Sequence, residues 1–292
     1  MARTSPSPAA APLLVVDRLE VGFAGGEGTV RAVDGVSFTL GREKLGIVGE
    51  SGSGKSMTGR AIMRLTPPRA KVTARRLEFE GVDLLAASEP EMRRIRGRRI
   101  AMILQDPKYS LNPVVPVGEQ IAETYRLHGA AGRREAAERA LAMLEAVQIR
   151  EPGRVAKLYP HEVSGGMGQR VMIAMMLAAD PDLLIADEPT SALDVTVRIE
   201  ILALLDELIL SRGLGVIFIS HDLNLVRRFC DRVLIMYAGR VVEALPAARL
   251  EAAEHPYTRG LLAALPRLRE PQRRLEVMQR DPAWLASPGV PA

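Results

Sequence analysis

Gly49-Glu50-Ser51-Gly52-Ser53-Gly54-Lys55-Ser56 follows the apolar run Leu45–Val48 and leads into a helical pattern over Ser56–Leu65. It matches G-x-x-x-x-G-K-[ST], in which glycines let a backbone wrap phosphate oxygens with its N–H groups turned inward. A helix beginning near Lys55 adds the positive end of its dipole. Lys55 can reach the β- and γ-phosphates of a nucleotide. Ser56 can hold Mg²⁺, whose octahedral shell suits a hydroxyl, waters and phosphate oxygens. Pro67-Pro68 is expected to stop the helix. At average residue usage the pattern arises by chance in roughly one chain of this length in a hundred. The competing reading is a glycine-rich turn with an incidental lysine, and the strand before and helix after weigh against it.

Moving outward, Ile100–Leu104, Leu183–Ala186, Val216–Ile219 and Val233–Tyr237 read, like Lys44–Val48, as buried strands, with helical patterns between many of them. Strands alternating with helices argue for an α/β fold with a parallel sheet covered on both faces. Leu13–Val21 and Val36–Leu40 alternate more and carry the Gly25-Gly26 turn, which suits an antiparallel β patch. Ala238-Gly239 separates Val233–Tyr237 from Arg240–Glu243 and predicts a hairpin. Residues 106–165 read as a mostly helical insertion. Val117–Leu127 predicts one helix. Arg133–Val147 predicts a second, whose stripe runs through Ala137, Leu141, Leu144 and Gln148 with Ala140 and Val147 adjacent. After Pro246 the pattern is helical again and ends in a proline-punctuated tail.

Leu183-Leu184-Ile185-Ala186-Asp187-Glu188 is an apolar run ending in two acids. Burying unpaired carboxylates is costly, but at the carboxyl end of a parallel strand the pair faces the crevice where ligands bind. There Asp187 can orient Mg²⁺ or its waters, and Glu188 can orient and deprotonate a water attacking a phosphate. A solvated strand end or a helix-capping acid is the alternative, disfavoured by the phosphate loop upstream.

The 292 residues suffice for one large domain, or one with an appendage, and 47% hydrophobic content supplies ample core. A net charge of +4 is too small to select nucleic acid, a membrane surface or any other anionic partner. The single Cys230 excludes an internal disulfide and a cysteine-only metal cluster within one chain. Its neighbourhood predicts a buried, unreactive side chain suited to a reducing compartment. No apolar run approaches the ~18 residues of a spanning helix. Met1–Pro12 is rich in Ala, Pro and Ser and reads as a disordered lead-in to a cytoplasmic protein.

Further segments make the chain similar to the ABC-type ATPases. Val163-Ser164-Gly165-Gly166-Met167 resembles the family signature, usually Leu-Ser-Gly-Gly-Gln. Ser191-Ala192-Leu193-Asp194 resembles the D-loop, Ile219-Ser220-His221-Asp222 the switch-histidine segment, and Gln105 fits the Q-loop. With the phosphate loop and the acids these occur in the family's order, over residues 13–265. Gln105-Asp106-Pro107, Ser110-Leu111-Asn112-Pro113, Gln169-Arg170-Val171-Met172-Ile173-Ala174-Met175, Asp187 to Val195 and His255-Pro256-Tyr257-Thr258 resemble more closely the ATPases of dipeptide/oligopeptide-type importers. Such systems commonly pair two different ATPase subunits.

The resemblance implies a RecA-like P-loop NTPase core with an antiparallel β subdomain, a helical subdomain and a short C-terminal extension. The lead-in would be 1–12, the ATPase domain 13–245 with its helical part about 106–165, and the extension 246–292. The implied activity is ATP hydrolysis with Mg²⁺, powering import of peptides or similar small solutes. One chain would hold ATP through Gly49, Glu50, Ser51, Gly52, Ser53, Gly54, Lys55, Ser56 and Asp187. A second cassette would supply Ser164, Gly165 and Gly166, with Asp194 close by. Ser56, Gln105 and Asp187 would hold Mg²⁺, partly through water. Glu188 would be the general base, His221 would touch the γ-phosphate and position Glu188, and Gln105 would sense the nucleotide. Phe23 stands where the family stacks an aromatic on adenine, and by its own surroundings equally suits core. Outside this context Ser164 is a helix cap, Gln105 a polar strand end and His221 a structural histidine.

Implied partners are a second ATPase subunit, related or identical, two membrane permeases at the cytoplasmic face of the inner membrane, and indirectly an extracytoplasmic solute-binding protein. No nucleic acid is expected. Two departures stand out. Gly168 occupies the place of a usual arginine. The chain also stops at Ser287–Ala292, with Val290 near the first cysteine of a stretch that can hold an iron–sulfur cluster in relatives, so no such cluster is expected. ABC-type ATPases of DNA repair or translation are an alternative, and they usually carry a long coiled coil or a second cassette, which this sequence lacks. A small-molecule P-loop kinase leaves Ser164–Met167 and His221 unexplained.

Overall fold

A computed structural model describes residues 11–25, 28–105, 110–129, 132–265, 281 and 284. The expected lead-in up to Ala10, Gly26, Asp106-Pro107 and the tail after Leu265, save Asp281 and Trp284, lie outside the described residues. The strands are β1 (Leu14–Gly25), β2 (Gly28–Leu40), β3 (Lys44–Val48), β4 (Ala70–Thr73), β5 (Arg76–Phe79), β6 (Val82–Asp83), β7 (Ile100–Ile103), β8 (Leu183–Asp187), β9 (Gly215–Ser220), β10 (Arg232–Tyr237) and β11 (Arg240–Pro246). The helices are α1 (Lys55–Ile62), α2 (Glu89–Ile95), α3 (Val117–His128), α4 (Arg133–Ala146), α5 (Pro152–Val155), α6 (Gly165–Leu177), α7 (Val195–Arg212), α8 (Leu223–Phe229) and α9 (Pro256–Ala263).

Two sheets form. The first is antiparallel, in the order β2-β1-β5-β6, with β4 also paired to β1. The second runs β11-β10-β3-β9-β8-β7 and is parallel except for the β10–β11 hairpin. That hairpin turns on Ala238 (φ 44°) and Gly239 (φ 85°), the left-handed pair that a tight two-residue turn needs to match strand twist.

Alternate residues of the parallel strands feed two cores. Leu184 and Ala186, Val216 and Phe218, and Val233 and Ile235 enter one core. Leu183 and Ile185, Ile217 and Ile219, and Leu234 and Met236 enter the other. A strand buried on both faces has no polar alternation, which is why these segments stand out as apolar runs. The first core is closed by residues of α3, α4, α6, α7 and α8. The second is closed by α1 and by Leu14, Phe38 and Phe79 of the antiparallel sheet. Cys230 is buried beneath β3, with burial pushing its thiol pKa up, and its Sγ lies 3.2 Å from where a Cβ on Gly46 would sit.

Two details of the sequence reading are corrected. Helix α1 stops at Ile62 rather than Leu65, because Arg64 turns into the left-handed region (φ 50°) and its guanidinium reaches the Leu84 carbonyl at 3.3 Å. The prolines follow an end already made. The buried face of α4 is Ala136, Ala140, Met143 and Leu144, continued by Val147, whereas Ala137, Leu141 and Gln148 are exposed. Small Ala136 and Ala140 let α4 sit close against α3, so packing selected the small residues and left the bulkier Leu141 at the rim. Among the described residues no helix is long and apolar enough to cross a membrane.

Candidate functional site

Because β3, β7, β8 and β9 are parallel, whatever follows each strand emerges at one edge of the sheet. Ser51, Gly52, Gly54, Lys55 and Ser56 meet Gln105, Glu188 and His221 there, around a cleft of about 610 Å³. Two glycines of the loop are sterically required. A Cβ on Gly49 would lie 2.1 Å from the Met236 carbonyl oxygen, and one on Gly54 (φ 102°) would lie 2.4 Å from that of Ala32. The hairpin tip braces the loop, with the Gly239 N–H donating to the Ser53 carbonyl at 3.0 Å.

Lys55 is buried, and its Nζ donates to the carbonyls of Gly49 (2.8 Å) and Glu50 (2.9 Å). Burial pushes its pKa down, opposed by the charges of Glu188, Asp187 and Glu50. A desolvated ammonium whose hydrogen bonds, among the described residues, go to neutral carbonyls is poised for an anion. The Ser53 hydroxyl is buried, with no hydrogen-bond partner among the described residues, and Ser53 is not among the described residues lining the cleft.

Ser56 Oγ donates to Asp187 Oδ1 at 2.7 Å. A hydroxyl beside a carboxylate is an oxygen-only donor set that fits Mg²⁺. Among the described residues no group of three or more His, Cys, Asp or Glu side chains is placed to hold a metal. A cation at Ser56 and Asp187 would take further ligands from Gln105, water or phosphate. Burial raises the pKa of Asp187, with the Ser56 hydrogen bond and the Arg60 charge pulling the other way. The charged form is thus the one that folding penalises. That penalty is absent in acid, where Asp187 is protonated folded or unfolded, and grows as pH rises through the carboxylate range toward the raised folded pKa. Asp187→Asn, which keeps an acceptor for Ser56, is expected to raise the nucleotide-free melting temperature at neutral pH by about 2–4 °C, as on the order of 1 kcal/mol does in a domain of this size. Calorimetry at neutral and acid pH checks this, and a gain that persists in acid contradicts the cause given.

Glu188 follows β8 with φ 51°, its N–H donating to the Ile219 carbonyl at 3.0 Å. That conformation is uncommon for a side-chain-bearing residue, and here it turns the carboxylate to the cleft. Glu188 Oε1 lies 2.8 Å from His221 Nδ1. The carboxylate is nearly buried, and the imidazole is more open to solvent. A carboxylate fixed by an imidazole at the cleft wall is placed to accept a proton from water.

Other expected residues lie outside the cleft. Ser164 caps α6, accepting the Met167 N–H at 3.3 Å, and Asp194 caps α7, accepting those of Thr196 and Val197. The two helix starts touch, since a Cβ on Gly166 would lie 2.8 Å from Val197. Ser164 and Gly165 are exposed, and Gly168 is buried one turn into α6. Phe23 is half-buried against the antiparallel-sheet core and is not among the described residues lining the cleft. Sequence reasoning missed Ala32 and Met57, which line the cleft, and Tyr257, whose hydroxyl meets the loop at Glu50. Motif spacing carries no signal for contacts that Ala32 of β2 and Tyr257 of α9 bring to the loop from other elements.

A family model described as ABC transporter matches residues 33–191. The chain is 52% identical over 277 residues to the "Probable peptide ABC transporter ATP-binding protein y4tR" of Sinorhizobium fredii, covering 94% of this chain and 83% of that one. It is 47% identical over 279 residues to the "Dipeptide transport ATP-binding protein DppD" of Bacillus subtilis, with the same coverage of each. Among solved structures it is similar to a dimeric post-hydrolysis state of the ATP-binding cassette MJ0796 bound to ADP and Pi. That likeness has a TM-score of 0.71 at 29% identity, covering 80% of this chain and 98% of that one.

Proposed function

This chain belongs to the ABC transporter family, and from that membership we propose that it is the ATP-hydrolysing subunit of an importer for peptides or similar small solutes. The observation that carries the activity is the convergence of Lys55, Ser56, Gln105 and the Glu188–His221 pair on one cleft. The names of its relatives, which specify peptide and dipeptide transport, support the cargo class.

In this reading ATP is the substrate. The loop amides and Lys55 bind its phosphates, and Ser56, Gln105 and Asp187 would hold Mg²⁺, partly through water. When bound, Mg²⁺ would supply neutralisation of negative charge on the phosphates. Glu188 orients the attacking water and takes its proton, and His221 holds the carboxylate in place. Phe23 is retained as the candidate adenine platform. Ser164, Gly165 and Gly166, at an exposed helix start, offer N–H groups to the γ-phosphate bound by a second cassette, with Asp194 beside them. The exposed apolar side chains of Val195 (69% accessible) and Ile199 (64%) lie next to this capped start and suit coverage by that second chain. The ATPase domain is taken as 13–245, the helical part about 106–165 as the side that meets two permeases at the cytoplasmic face of the membrane, and 246–292 as an extension.

The purified chain is expected to release inorganic phosphate from ATP without an acceptor. EDTA should reduce the rate to background and Mg²⁺ should restore it. Tagged chain is expected to co-isolate with two membrane-spanning subunits. Transfer of phosphate to a small acceptor, or co-isolation with nucleic acid alone, would replace this reading with a kinase or a transport-independent ATPase.

A further inference from the structure

Tyr257 lies on α9, far along the chain from the phosphate loop, yet its hydroxyl oxygen accepts a 3.0 Å hydrogen bond from the Glu50 N–H. The side chain is fully buried, with ring centroids 4.6 Å from Tyr237 and 5.7 Å from Trp284. The peptide joining Gly49 to Glu50 is therefore gripped twice. Its N–H is held by Tyr257, and its carbonyl, that of Gly49, receives Lys55 Nζ at 2.8 Å. A peptide group is planar, so fixing the direction of its N–H fixes that of its carbonyl. The grip matters here because Gly49 has no side chain to restrain its own rotation.

We propose that Tyr257 is a positioning residue for nucleotide binding, through which the segment after β11 sets the shape of the phosphate loop. When Lys55 leaves the Gly49 carbonyl for a phosphate, one of the two restraints on that peptide goes with it. Tyr257 then holds the peptide in the orientation that keeps the loop wrapped. The proposal rests on Gly49–Ser56 being the nucleotide loop.

Tyr257→Phe keeps the ring and its packing and removes the hydroxyl, and with it the oxygen that accepts from the part-buried Glu50 N–H. In the full chain the Kd and KM for ATP should rise roughly five- to fifty-fold, the range for one such bond. The kcat at saturating ATP should stay within about two-fold and the melting temperature within a few degrees. Tyr237→Phe, which removes the hydroxyl of the neighbouring ring and leaves the Glu50 N–H bond to Tyr257 in place, should leave all of these unchanged. Wild-type affinity in Tyr257→Phe, with or without a lowered melting temperature, reduces Tyr257 to packing and overturns the proposal. If the variant does not fold, hydrogen exchange of the wild-type chain decides, since a Glu50 amide exchanging as fast as an open loop also overturns it. Failure of the wild-type chain to bind ATP would instead count against the nucleotide-loop reading.

Discussion

Glu188→Gln is expected to bind ATP about as well as the wild type and to hydrolyse it about 10²–10⁴ times more slowly, the usual worth of a positioned general base. The substitution is nearly isosteric. Glutamine can keep the contact with His221, now 2.8 Å from Glu188 Oε1, because its amide oxygen accepts and its NH₂ donates. It cannot take a proton from water at neutral pH. The left-handed backbone at Glu188 (φ 51°) strains glutamine and glutamate alike, so the fold has no new cost to bear. Binding should survive because the lost charge is negative and faces the cleft that receives the phosphates. Single-turnover phosphate release beside an equilibrium ATP titration separates the two effects. Turnover near the wild-type rate would remove Glu188 from the role, while lost binding would show that the carboxylate is structural. The same variant should hold ATP long enough for two chains to associate in sedimentation, since hydrolysis no longer clears the shared nucleotide.

The residues that the sequence placed best are those whose position follows from strand polarity alone. Once Leu45–Val48, Leu183–Ala186 and Val216–Ile219 read as parallel strands, Lys55, Asp187, Glu188 and His221 had to share one edge of the sheet, and they do. The order β11-β10-β3-β9-β8-β7 was not legible, because each parallel neighbour is reached by a long crossover whose destination no local pattern records. Helix α4 shows a different limit. Periodicity gave its extent, but whether Ala136–Ala140 or Ala137–Leu141 faces inward is decided by how near the neighbouring helix can come, a property of the pair. Tyr257 was visible as part of His255-Pro256-Tyr257-Thr258 but mute as to purpose, because its partner is a backbone N–H, which has no identity in a sequence. Asp194 was legible only through its resemblance to the D-loop; the structure makes it, like Ser164, a helix cap, and what the two face beyond this chain depends on a second one.

Lys55→Ala is expected to weaken ATP binding by at least about 10²-fold, since charge-assisted hydrogen bonds contribute roughly 1.5–3 kcal/mol each and the ammonium can make more than one to phosphate. The nucleotide-free fold should tolerate the change better than the burial of this side chain suggests. The ammonium that alanine removes is one that burial already disfavours, as the lowered pKa of Lys55 records. Against that gain stand the carbonyls of Gly49 and Glu50, which lose their donor, and the space left by the lysine stem. The two contributions oppose each other, so the melting temperature should move by only a few degrees while affinity collapses. This contrast distinguishes a ligand-binding lysine from a structural one, which would lose stability and affinity together. Lys55→Arg should not restore binding, because a planar guanidinium is longer and cannot direct three donors from a point between Gly49 and Glu50. Titration of the two variants with a fluorescent ATP analogue, alongside their melting curves, measures both quantities. If ATP affinity is unchanged in Lys55→Ala, Gly49–Ser56 is not the phosphate site, and Asp187, Glu188 and His221 lose the substrate on which their roles depend.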